Sequence, residues 1–487
     1  MKYEAVIGLE VHTQLRTRSK MYCRCSSDYV NAPPNTHVCP VCLGMPGVLP
    51  VINKQAVEYT MMAALALNCT IAEYTKFDRK NYSYPDLMKG YQISQYDTPI
   101  GRSGRLTIQV DGQEKKVGIT RVHLEEDVAK LVHRTSVGES YSLVDVNRSG
   151  VPLMEIVGEP DLRFPEEARQ YLMKLHSILQ YLDVSTASME EGSFRCDANV
   201  SIRPEGSSEL LAKVEVKNMN SFRAVFRALE YEVKRQTRAI ETGEKVVQET
   251  RGWVEENGET VSQRSKEFAH DYRYFPEPDL LPLNISRTWV AETGAKLPEL
   301  PEARHNRFVT EYGLSLYDAN LLTSSKEMAD YFENLCQGNK IIPAKTVSNW
   351  LLGTVSAILN TNNIDMSEFA DQVSTERVAE LLLTESKGVV STATAKSILE
   401  EMYKTGKSSS EIIAVQGLTQ ISDTGELEKI AAQVIQVNAP AVADYKAGKA
   451  QSLTFLVGQV MRMTQGRANP RVVTEVLKKK LEEEGEE

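Results

Sequence analysis

The chain has 487 residues, 41% hydrophobic and 25% charged, a composition that fits a soluble globular protein of two to four domains. Its net charge of −10 excludes a general nucleic-acid-coating protein, because phosphate binding needs clustered Lys and Arg; any such contact must be local. No window approaches about 18 uncharged apolar residues, and Glu4 and Glu10 interrupt the N-terminus where a signal peptide would be apolar, so a cytoplasmic protein with no membrane contact is expected.

The first stretch, to roughly residue 290, reads as β-structure with inserted helices. YEAVIGLEVHTQL alternates with period two, so Leu9, Val11 and Leu15 face one way and Glu10, His12 and Gln14 the other. Next come Cys23-Arg-Cys25 and Cys39-Pro-Val-Cys42, two short pairs separated by thirteen residues. Four closely spaced thiolates suit tetrahedral zinc with little chain entropy to lose, and four ligands leave no open position, so the ion is expected to be structural. His37 lies between the pairs and could replace one cysteine or be a surface loop residue, while Cys69, Cys196 and Cys336 sit singly in apolar contexts and read as core.

Alternation recurs in VGITRVHLEED, where Arg121, His123 and Glu125 share a face if the strand runs that far. In SFRCDANVSIRP, Phe194, Cys196, Ala198, Val200 and Ile202 oppose Arg195, Asp197, Asn199, Ser201 and Arg203; in LAKVEVKN, Lys213, Glu215 and Lys217 share a face. Several strands with one apolar and one charged face describe a sheet on a core with its other side wet: either a solvated surface or a lined groove. FRAVFRALEYEVKRQTRAIETG follows as an amphipathic helix with Asn220 or Ser221 as N-cap and Gly243 as its end. Pro282, Pro298 and Pro301 mark a linker, after which the segments to about residue 405 are helical in period. The Gly/Ser-rich TGKSSSE opens another break before a last helical module with an acidic end.

No phosphate-cradling P-loop and no HExxH motif are present. Glu10, Glu125 and Glu155 lie on or beside strands and His12 shares a face with Glu10; from spacing alone they are solvated or ion-paired carboxylates or ligands for a hard cation. From Tyr445 to Lys480 there are eight positive residues, Lys446, Lys449, Arg462, Arg467, Arg471, Lys478, Lys479 and Lys480, against Glu475 alone, in a chain that is otherwise acidic. That contrast reads as a footprint for a phosphate backbone.

IGLEVHTQL, KFDRKNYSYPDLMKGYQISQYD, HLEEDVAK, DVNRSGVPLMEIV, MEEGSFRCDANVSIRP, EVKNMNSFRA and HDYRYFPEPDL resemble, in order and spacing, the signature segments of the B subunit of the GatCAB amidotransferase family; VSNWLLG and KAGKAQSLTFLVGQVMRMTQGRANP extend the likeness to the C-terminus. The resemblance implies an α+β fold: a β-rich cradle domain with an antiparallel or mixed sheet over residues 1–292, carrying the zinc loop at 23–42, then an all-α helical domain over 293–405 and an α-helical YqeY-like tail over 406–487 that binds tRNA. It implies an ATP-dependent carbon–nitrogen ligase that phosphorylates the side-chain carboxylate of mischarged Asp-tRNA(Asn) or Glu-tRNA(Gln). Ammonia, made from glutamine by the A subunit and channelled to the site, then displaces phosphate; a small C subunit ties A and B together. Carried over residue by residue, Glu10, His12, Glu125 and Glu155 match the metal-binding positions for Mg²⁺, with Mn²⁺ as the alternative because His12 is a nitrogen donor. Arg79, Lys80, Tyr82, Tyr84, Asp86, Lys217 and Asn218 become candidates for phosphate contact or ammonia passage, or for support of the cradle. Glu190, Glu191, Arg195 and Asp197 are implied to lie near the same site. The cysteines place the chain with the zinc-bearing members. A non-catalytic, zinc-containing tRNA-binding scaffold is the competing reading.

Overall fold

The alternating segment at the N-terminus becomes the strand Tyr3–Gln14, the centre of a nine-stranded sheet. On one side it is followed by Pro152–Gly158, Gln113–Glu126, Gly101–Val110 and Thr70–Ile71; on the other by Phe194–Pro204, Val214–Met219, Glu249–Val254 and Glu259–Ser265. All pairs are antiparallel except Val214–Met219 with Glu249–Val254, so the sheet is mixed. The computed structural model describes residues 2–136, 139–265, 272–418, 424–449, 451–464, 468 and 470–483.

Helices Lys54–Ala66, Pro165–Tyr181 and Phe222–Glu241 pack on one face and enclose the first apolar core, which includes Ile7, Leu9, Val11, Ile156, Ala198 and Val200. The long helix starts where Ser221 Oγ accepts the Ala224 N–H at 3.0 Å, and Gly243 follows its end at φ +81°, a left-handed geometry that suits glycine. With these helices on one side, the period-two pattern leaves Glu10, His12 and Gln14 on the other. Two smaller units flank that face. The strands Asp78–Asn81, Tyr91–Ser94 and Phe275–Pro276 form a three-stranded sheet, and Lys130–Ser136 pairs with Glu139–Asp145 as a hairpin.

The chain divides into two compact units, Met1–Pro301 and Glu302–Glu487. The proline-marked segment is not all linker: it contains the helix Arg287–Gly294, and Trp289, Val290, Leu297 and Leu300 pack on the first core, which carries the first unit to Pro301. The second unit is helical among its described residues and has two separate apolar cores, one spanning Phe308 to Ile412 and one spanning Leu427 to Leu481. Gly406, at φ +68°, ends the helix Thr392–Thr405, and Ser408 caps the helix Ser409–Gln416. Ile412 of that helix still belongs to the earlier core, so the polar break is a turn between two helices of one core. The protein is therefore α+β, and no described helix is long and apolar enough to cross a membrane.

Candidate active site

Antiparallel register brings together residues far apart in sequence. His12 stands opposite Glu155, and Glu155 stands opposite His123, in three adjacent strands. His12 Nε2 lies 3.3 Å from Glu155 Oε2 and 3.8 Å from Glu125 Oε1; His123 Nε2 lies 3.2 Å from Glu155 Oε2 and 4.0 Å from Glu125 Oε2. Glu125 and Glu155 are 2% and 6% exposed, so both carboxylates are withdrawn from water with imidazoles and the Ser94 hydroxyl, 3.2 Å from Glu125, close to hand.

Such a group strains the ordinary protonation equilibria. Burial opposes charge on His12, but Glu155, followed by Glu125 and Asp197, outweighs it and raises the imidazole to about 9. Burial likewise opposes the Glu155 anion, and the charges of His123 and His12 hold its carboxyl well below the usual range. Donor atoms of His12, Glu125 and Glu155 all lie within 4.8 Å of one another, so one cation could take all three. Two carboxylate oxygens suit Mg²⁺, and the imidazole suits Mn²⁺ as well.

Glu10 occupies the same face but is not part of that trio; its carboxylate accepts a 2.8 Å bond from Asn199 Nδ2. Arg195 stands opposite His12, and Asp197 opposite Glu10. Asp197 is ion-paired with Lys217, which also lies 3.3 Å from Glu215. Asn218 follows at φ +65°, exposed, where the register of this strand pair shifts. Beside the two glutamates on the other side, the Lys80 ammonium sits 5.0 Å from the Tyr272 ring and 5.9 Å from the Tyr82 ring. Burial would lower its pKa, yet Glu125, Tyr274, Glu155 and Tyr82 raise it, so Lys80 stays charged.

The remaining candidates are not brought into this cluster. Arg79 is locked by two 2.7 Å bonds to Glu277 and rests 4.3 Å from the Tyr91 ring. Tyr84 is 57% exposed, Asp86 is half-buried with one oxygen lacking a partner, and Glu190 and Glu191 are exposed in a turn.

Sequence reasoning assigned no role to His123, although its alternation with Glu125 was the available signal. It also passed over Asp127, which is 2% exposed and takes bonds from Gln14 Nε2 at 2.6 Å and Arg195 at 3.0 Å, with Arg148 3.6 Å away.

The sulfurs of Cys23, Cys25, Cys39 and Cys42 lie within 4.8 Å of one another. Cys42 and Cys39 sulfurs are 3.9 Å apart, close to the roughly 3.8 Å edge of a tetrahedron with 2.3 Å zinc–sulfur bonds. The Cys39 N–H points to Cys42 Sγ at 3.1 Å. The Cys23 thiol, then that N–H and the charge of Lys20, drive the Cys42 thiol down to about 4 despite burial, as a thiolate ligand requires. These residues fit a structural zinc ion. His37 is outside the group; its backbone bonds Asn147 and Lys20.

In the tail, Lys446, Arg462 and Arg471 are exposed on helices, Lys449 is exposed just after the helix Ala439–Lys446, and Arg467 lies outside the described residues. Asp444, just before the counted window, bonds Lys449 at 2.8 Å.

One sheet face thus gathers two buried carboxylates, two imidazoles and flanking cations, with three donor atoms placed where they could hold a metal ion. Residues 5–291 match the family described as the GatB/GatE catalytic domain, and residues 330–481 match the GatB domain. The chain is 62% identical over 492 residues to the B subunit of the aspartyl/glutamyl-tRNA(Asn/Gln) amidotransferase of Dehalococcoides mccartyi, covering 99% of each. It is 54% identical to the same subunit of Carboxydothermus hydrogenoformans, again covering 99% of each, and 54% identical to that of Thermomicrobium roseum over 483 residues. The chain belongs to the GatB family.

Proposed function

We propose that this chain is the B subunit of an aspartyl/glutamyl-tRNA amidotransferase and that the His12–Glu125–Glu155 face is its phosphoryl-transfer site. The observation that supports this most is the convergence of two buried carboxylates with His12 at the centre of a sheet lined by Arg195 and Lys217 on one side and Lys80 on the other. A carboxylate is a poor electrophile. One oxygen of the mischarged Asp or Glu side chain attacks the γ-phosphorus of ATP, ADP leaves, and the acyl phosphate gains a good leaving group; ammonia then adds to the acyl carbon, phosphate departs and the nitrogen gives up a proton. Bound at His12, Glu125 and Glu155, Mg²⁺ or Mn²⁺ supplies neutralisation of phosphate charge. Glu10, paired with Asn199, bounds the face beside that trio. Arg195 and Lys217 offer cationic donors toward phosphate while Asp127 and Asp197 hold them in place. Lys80 and its tyrosines form the opposite wall.

The four cysteines hold zinc and stiffen the loop at 23–42. Residues 1–292 act as the cradle, 293–405 as a helical connection and 406–487 as the tail that grips the tRNA backbone, with a glutaminase A subunit supplying ammonia and a C subunit joining the two. Such a division places chemistry and tRNA affinity on separate parts.

The test uses the chain assembled with its A and C partners, ATP, Mg²⁺, ammonium and mischarged tRNA. Glu125→Gln should lower ADP formation and amidation by about 100-fold or more while tRNA affinity holds. Full ADP formation by that variant defeats the metal assignment, and no ADP formation by the unaltered complex leaves the scaffold reading.

A further inference from the structure

The loop between the two cysteine pairs does not only close on itself. Tyr29, in the middle of it, turns its hydroxyl toward the central strand. Gln14 Nε2 lies 2.9 Å from Tyr29 Oη, and Tyr29 Oη lies 3.2 Å from Gln14 Oε1, so hydroxyl and amide engage in both directions. The same Gln14 nitrogen donates to Asp127 Oδ2 at 2.6 Å, and Arg195 donates to that oxygen at 3.0 Å. Gln14 is two residues beyond His12 on one face of the strand, and Arg195 stands opposite His12 in the neighbouring strand. An unbroken run of hydrogen bonds therefore leads from the cysteine loop to a cation beside the His12 group.

Both ends of the run are anchored. Asp127 is fixed by its backbone bonds to Val151 and Gly150, and its other oxygen takes the Val128 N–H at 2.9 Å. The far limb of the loop is tied to the root of the hairpin: Asn147 Nδ2 donates to Pro33 O at 2.8 Å, the His37 N–H donates to Asn147 Oδ1 at 2.8 Å, and the buried Lys20 ammonium bridges His37 O and Val146 O. Tyr29 lies between the first cysteine pair and these ties. Asp127, which only accepts, selects the nitrogen end of the Gln14 amide, and the tyrosine hydroxyl, in contact with both ends, restrains that side chain where it meets Asp127.

We propose that Tyr29 is a positioning residue of the catalytic face: through Gln14 and Asp127 it sets the Arg195 guanidinium, and the closed cysteine centre acts on the reaction by holding Tyr29 in place. The role given to Arg195 rests on the proposed phosphoryl-transfer reading, whereas the coupling between loop and strand does not. The centre is then more than a stiffener of its own loop, since opening it would release Tyr29, 15 residues from Gln14 in sequence, and loosen a guanidinium on a different strand.

The experiment compares the unaltered chain and Tyr29→Phe, each assembled with its A and C partners, before and after zinc removal by a chelator, with zinc content measured directly. Two readouts are taken: hydrogen exchange of the segments 125–129 and 194–197, and kcat and KM for ADP formation. Tyr29→Phe should keep its zinc, exchange faster in both segments, and lower kcat about fivefold with little change in KM for tRNA. Zinc removal from the unaltered chain should reproduce both changes and add little more in Tyr29→Phe, because both interrupt one pathway. Exchange changes confined to residues 17–51, or effects of the two perturbations that simply add, overturn the coupling. If the unaltered complex formed no ADP, the phosphoryl-transfer reading would fall while the exchange data still decided the coupling.

Discussion

His123 Nε2 lies 3.2 Å from Glu155 Oε2, on the strand opposite to the one that carries His12, so a single carboxylate is held between two imidazoles. His123 is 2% exposed and its Nδ1 has no partner, which leaves the ring with Glu155 and Glu125 as its polar neighbours. Orienting a ligand carboxylate in this way is what an outer imidazole does around a metal. His123→Ala should weaken Mg²⁺ or Mn²⁺ binding by about 10- to 100-fold and lower ADP formation correspondingly, with zinc content unchanged. Titration calorimetry with Mn²⁺ checks this, and an unaltered affinity would remove His123 from the site.

Protons should compete with the cation at His12. Without metal the imidazole is raised above its ordinary 6.5 to about 9, with burial opposing and Glu155 leading the rise. Its stabilising contribution is therefore complete below about pH 6.5 and is lost as pH climbs through about 9. A metal needs the neutral ring, so apparent Mn²⁺ affinity should grow from about pH 6 toward 9. His12→Gln should flatten that dependence; a pH-independent affinity in the unaltered protein would contradict it.

The cysteine centre should hold its zinc whether or not the glutamates are intact. Cys42→Ser removes the sulfur whose thiolate Cys23, the Cys39 N–H and Lys20 favour, and zinc content should fall from one ion per chain to near zero. Glu125→Gln should leave it at one. Metal analysis of the purified chains distinguishes the two, and zinc retained by Cys42→Ser would mean the four sulfurs are not its ligands.

Removing the tail cleanly requires respect for the cores. Because Ile412 packs with the Phe308–Ile412 group, a chain ending at Leu418 should fold around that core, whereas one ending at Gly406 exposes it. The Leu418 truncation should weaken tRNA binding and flatten the log–log salt dependence by about 0.7–0.9 for each phosphate that the tail no longer neutralises. Filter binding over a salt series reads both; an unchanged slope would exclude Lys446, Lys449, Arg462 and Arg471 from the footprint.

Local chemistry was legible in the sequence wherever partners are near neighbours along the chain. Two cysteine pairs in twenty residues specify a four-sulfur centre, Ser221 and Gly243 bracket a helix, and period-two alternation sorts Glu10, His12 and Gln14 onto one face before any partner strand is known. Family likeness could add which carboxylates to watch. The tertiary structure decided what those faces meet. Antiparallel register, set by packing of the opposite face on the helices, aligns His12 with Glu155 and Glu155 with His123, across 143 and 32 positions of chain, while leaving Glu10 to Asn199. It also folds the cysteine loop back so that Tyr29 reaches Gln14, and it keeps Trp289, Leu297, Leu300 and Ile412 in cores that the proline and Gly/Ser signals had set outside them. Pairings of that kind depend on burial and strand order, which no local pattern of residues carries.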